Sequence, residues 1–133
     1  MAMNKTRSGS VMLIAIFVIA LLSALVTGML QINTGEVQLM HNQISACEAL
    51  AIAEAGLNDA FAQLRVNKDW TAGFSNKPLG SHKYTVKVSG KSPKLVIEST
   101  GTSAKGYVSK VTAEVATAGA GPYRIGVNSL RID

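Results

Sequence analysis

The chain has 133 residues, 13 Lys and Arg against 8 Asp and Glu, a formal net charge of +5 and one cysteine. That length leaves room for one small domain besides any membrane segment. A single cysteine excludes an intramolecular disulfide and a metal site built from cysteines.

Residues 8–35 carry no charge, and 11–30 are almost wholly apolar. Lys5 and Arg7 stand before the run, and the first acidic residue is Glu36. Twenty residues at about 1.5 Å rise span about 30 Å, the hydrocarbon thickness of a bilayer. The run exceeds the apolar core of a secretory signal, which takes about 7–15 residues. No Ala-x-Ala site follows it in Gln31–Glu36. We therefore expect a single membrane span over residues 10–35, with Lys5 and Arg7 keeping the N-terminus in the cytoplasm. Ala20, Ala24 and Gly28 recur every four residues and offer a face for close helix packing. Ser23 and Thr27 lie beside it and are expected to bond back to their own helix.

The helix signal continues past the span. Residues 36–66 lack proline and are rich in Glu, Gln, Leu, Met and Ala. Val37, Met40, Ile44, Cys47 and Ala51 follow a 3–4 spacing, and Leu50, Leu57, Phe61 and Leu64 extend an apolar stripe on a neighbouring face. This predicts an amphipathic helix fused to the membrane helix. The reading expects Cys47 as a small buried side chain, with an intermolecular disulfide as the alternative.

Residues 67–82 read as a connecting loop through Gly73, Asn76, Pro78 and Gly80, with Trp70 and Phe74 pinning it to the core. From Lys83 the apolar period changes to two. Tyr84, Val86 and Val88 alternate with polar residues, as do Leu95 and Ile97, and then Val111, Ala113 and Val115. Short Gly- and Pro-containing linkers make residues 83–133 an antiparallel meander of three to four strands, the last an edge strand at Tyr123, Ile125 and Val127. Its apolar face needs a cover, and the Leu50–Leu64 stripe is the candidate. The expected fold class is α+β.

No arrangement for catalysis is legible. His41 and His82 have no cysteine or paired acid near them, no phosphate loop precedes a helix, and no cofactor is implied. The sheet region is basic, and Lys83, Lys87, Lys94 and Lys110 offer phosphate contacts to nucleic acid. They alternate with core residues without interleaved aromatics, so a solvated strand face is the favoured reading.

A membrane helix running into an amphipathic helix, then a small antiparallel sheet, resembles the plan of type IV pilins. Arg7-Ser-Gly9-Ser10 before the apolar run resembles a prepilin peptidase site, which implies a leader of residues 1–9 and a mature chain starting at Ser10. Ala53, Glu54, Ala55, Gly56 and Leu57 resemble the Ala-Glu-Ala-Gly-Leu signature of PilX-like minor pilins. The resemblance covers residues 7–65. It implies a minor pilin or pseudopilin that is no enzyme. Its partners would be prepilin peptidase, the membrane and other pilin subunits in a surface filament or tip complex. One departure stands out. Most pilins carry Glu at the fifth mature position, and that position here is Ile14. This favours a low-abundance or tip subunit. A different class remains open: a membrane-anchored extracytoplasmic module whose sheet holds a ligand.

Overall fold

An unbroken run of helix formers without proline gives one helix, α1, over Lys5–Val66. The computed structural model describes residues 5–133. Five strands follow: β1 (Phe74–Leu79), β2 (His82–Lys91), β3 (Lys94–Thr102), β4 (Val108–Ala118) and β5 (Arg124–Ile132). They form one antiparallel sheet in the order β1-β2-β3-β4-β5. The chain divides into two compact units, Met1–His41 and Asn42–Asp133.

In the first unit the helix is long and apolar enough to cross a bilayer, and none of its apolar window is buried. Three of its hydroxyls bond back to the helix itself. Ser23 Oγ donates to the Ile19 carbonyl and Thr27 Oγ1 to the Ser23 carbonyl, both at 2.8 Å. Thr34 Oγ1 does the same to Leu30 at 2.8 Å. Such back-bonds satisfy a hydroxyl within its own helix without help from water. Part of the expected leader, residues 1–4, lies outside the described residues. Gly9 and Ser10 are helical and exposed.

In the second unit α1 lies on one face of the sheet. The core joins Ile52, Ala53, Leu57, Ala60 and Leu64 to Tyr84, Val86, Leu95, Ile97, Val111, Ala113 and Val115. The alternation read from sequence therefore picks the correct sheet face, and the Leu50–Leu64 stripe is its cover. Each large apolar side chain buried there contributes about 1.5–3 kcal/mol relative to exposure.

Three expectations need correction. The sheet has five strands, not three to four, because the connector at 67–82 contains β1. β1 is an edge strand with a register shift between Phe74 and Lys77, and a bulge erases its alternation. Cys47 is exposed rather than buried. Val37, Met40 and Ile44 are at least half exposed, and Ala51 is also exposed. The side of α1 that meets the sheet holds Ser45, Ala49, Ala53, Gly56 and Ala60 instead. Small residues win there because the backbones come close.

Candidate assembly surfaces

Close approach of helix and sheet centres on two glycines. A Cβ on Gly56 would stand 2.5 Å from Ser99 Oγ and 2.8 Å from Tyr84 Cδ2. A Cβ on Gly101 of β3 would collide with the Ala49 carbonyl oxygen and the Ala53 amide nitrogen. The signature-like residues are therefore mostly internal: Ala53, Gly56 and Leu57 are buried and Ala55 is half-buried. Glu54 alone among them is exposed. Ser99 Oγ is buried and, among the described residues, has no hydrogen-bond partner.

A polar cluster missed in the sequence fixes β1 and β2 to the helix. Asp59 on α1 accepts a hydrogen bond from Tyr84 Oη at 2.6 Å and pairs with Lys77 Nζ. The ammonium also sits 4.3 Å from the Phe74 ring centre. Phe74 in turn stacks between Trp70 at 5.2 Å and Tyr84 at 6.1 Å, so the sequence expectation that these aromatics pin the segment is met. The hydrogen bond from Lys77, then that from Tyr84, holds the Asp59 carboxyl below its ordinary range. Burial and then the Asp59 hydrogen bond push the Tyr84 phenol up. Bonding to Asp59 raises Lys77. Sequence spacing gave no hint, since residues 59, 77 and 84 lie on three different elements.

Two further contacts tie loops down. Tyr107 Oη donates to Asn42 Oδ1 at 2.6 Å, and His82 Nδ1 accepts from the Ala104 amide at 2.9 Å. That acceptor role requires the hydrogen of neutral His82 to sit on Nε2.

The residues expected to act at interfaces fall on separate surfaces. Ala20, Ala24 and Gly28 are exposed on the apolar part of α1. Lys83, Lys87, Lys94 and Lys110 belong to the sheet face away from the helix, as their alternation with buried residues requires. Glu98 lies among them, as the register partner of Lys87 and in an ion pair with Lys110 at 3.2 Å. Both partners are two-fifths exposed, so that pair contributes at most about 1 kcal/mol.

A surface that sequence reading missed is on β5. Val127, Leu130 and Ile132 are half exposed, although they pair in register with core residues Val115, Ala113 and Val111. The sequence signal was there: Ile125 and Val127 keep one phase, and Leu130 and Ile132 keep the other. Such a slip marks a bulge, and the register shifts between Glu114 and Val115.

No protein-family model, curated protein or solved structure matches the chain.

Proposed function

We propose that the chain is a minor pilin or pseudopilin. It waits in the cytoplasmic membrane through the apolar part of α1, loses its leader after Gly9, and then assembles into a filament or tip complex of sibling subunits. One observation carries the reading. A single helix, Lys5–Val66, supplies both the cover of a small antiparallel sheet and a long, wholly exposed apolar stretch. Such a stretch needs lipid or other helices around it. Buried contacts among sibling helices, helped by small residues at Ala20, Ala24 and Gly28, replace lipid on assembly.

The glutamate absent at Ile14 fits a subunit used sparingly. A charged amine carried into an apolar filament without a partner is penalised by several kcal/mol. Shearing surface filaments from cells that express the chain with a complete pilus or secretion system tests the proposal. Mass spectrometry should find the chain in the sheared fraction at low ratio to the major subunit. A chain confined to the membrane fraction, with filaments otherwise normal, contradicts it.

A further inference from the structure

The β1–β2 turn at Gly80 and Ser81 and the loop at 103–107 between β3 and β4 lie at the same end of the sheet. Between them is an open hollow of about 460 Å³. Because β2 begins here, residues of both sheet faces reach it. Asn76, Ser81, His82, Lys83, Thr102 and Ser103 line it. Among the described residues, no acidic and no large apolar side chain does. Lys83 and Thr102 are register partners across β2 and β3, which sets their Cβ atoms about 5 Å apart.

The loop decides what this lining offers. The Ala104 amide donates to His82 Nδ1 at 2.9 Å, so neutral His82 keeps its hydrogen on Nε2. The Tyr107 amide donates to Ser103 Oγ at 3.1 Å, so the hydroxyl hydrogen of Ser103 is turned elsewhere. Each loop amide takes an acceptor site and leaves the side chain a donor. Neither donor has an acceptor among the described residues. Ser103 is only 4% exposed, where an unused hydroxyl hydrogen is costly. The loop is closed by its own bonds, Ser103 amide to Tyr107 carbonyl at 2.8 Å and Gly106 amide to Ser103 carbonyl at 3.0 Å. The donors are therefore placed before any ligand arrives. Lys83 is exposed and takes part in none of the ion pairs of the described residues. Residues 77–110 hold seven lysines against Glu98 alone, a field that draws anions to this end.

We propose that this hollow binds the phosphate group of a small sugar phosphate. Lys83 supplies the charge, and His82 Nε2, Ser103 Oγ and Thr102 Oγ1 supply hydrogen bonds. These are single N–H and O–H donors around a compact ammonium. Such a set suits a tetrahedral oxyanion better than a planar carboxylate, whose usual match is the fork of an arginine. The hollow is larger than one phosphate group. Its remaining lining, Asn76 and Ser81, suits hydroxyl groups, and it has no apolar wall for a hydrophobic tail. The site lies wholly within the sheet unit and does not depend on the reading of the chain as an assembling subunit.

His82 itself reports on the site. The chain has two histidines, so His41→Gln leaves His82 as the single imidazole in nitrogen NMR spectra of isotope-labelled protein. The full chain is held in uncharged maltoside micelles above about pH 7.5, where free histidine is neutral. Added glucose-6-phosphate should move the His82 Nε2 resonance saturably, with half-saturation at about 1 mM or below. Sodium chloride at matched ionic strength should not move it. Lys83→Gln should weaken binding about tenfold, the effect of losing one charge-assisted bond, and Thr102→Val about threefold. Lys91→Gln, at the far end of β2, should leave binding unchanged. The proposal is overturned if the resonance stays still, or if it moves only when phosphatidate is added to the micelles. It is overturned equally if Lys91→Gln weakens binding as much as Lys83→Gln, since that would mark diffuse attraction to the basic sheet.

Discussion

Gly56 on the helix and Ser99 on β3 meet so closely that a methyl group at residue 56 would stand 2.5 Å from Ser99 Oγ. Two effects oppose each other in Gly56→Ala. Alanine gains about 1 kcal/mol in helix propensity, while overpacking costs about 1–3 kcal/mol. Ser99 Oγ can rotate, but the Tyr84 ring at 2.8 Å is held by its bond to Asp59. Packing wins, and we expect a net loss of up to about 2 kcal/mol. Trp70, the single tryptophan, reports unfolding in denaturant. Ser99→Ala should recover part of the loss. Alone it should be neutral or slightly stabilising, because it removes a buried hydroxyl that has no partner.

Gly101→Ala is the harsher change. Its Cβ would meet backbone atoms of Ala49 and Ala53, which cannot rotate away. Helix and sheet must separate along this line, so we expect a loss of about 3 kcal/mol or more. The same fluorescence titration checks it. A change smaller than that of Gly56→Ala would show that the helix is not seated there as described.

The Asp59 cluster sets a dependence on acid. The bonds from Lys77 and Tyr84 depress its carboxyl. A depressed carboxylate contributes stability that is present above its unfolded value, about 3.9, and is lost as pH falls through the folded value. Denaturant midpoints should therefore decline below about pH 4 in wild type and decline less in Asp59→Asn. At neutral pH Asp59→Asn should be the less stable protein. Equal acid limbs for the two proteins would rule out this role for Asp59.

At the alkaline end the sign reverses. The Tyr84 phenol is raised by burial, then by Asp59, so the folded state resists its ionisation. Stability should fall as pH rises above about 10, the unfolded tyrosine value. Lys77, also raised by Asp59, adds to the same decline. Tyr84→Phe should reduce that decline, measured by the same titration at pH 9 and 11.

How much of this was legible in the sequence depends on the element. Period-two alternation at Tyr84–Val88, Leu95–Ile97 and Val111–Val115 gave the central strands and their buried face, because a half-buried sheet sorts side chains strictly by parity. β1 was hidden by Asn76, Pro78 and a bulge, which look like a turn. The seat of the helix was hidden for another reason. Hydropathy weights large residues and so points to Val37, Met40, Ile44 and Cys47, whereas close packing on Gly101 and Ser99 selects Ala49, Ala53 and Gly56. The Asp59–Lys77–Tyr84 cluster depends on tertiary contact alone and leaves no local pattern. The β5 strip was readable only as a one-residue slip between Val127 and Leu130.

The central claim is that the apolar helix is freed from its leader to enter an assembly. Intact-mass measurement after co-expression with an active prepilin peptidase tests it most directly. The account predicts a chain that begins at Ser10, nine residues shorter, with net charge lowered from +5 to +3 by loss of Lys5 and Arg7. A chain that keeps residues 1–9 while a known pilin in the same cells is trimmed would contradict it.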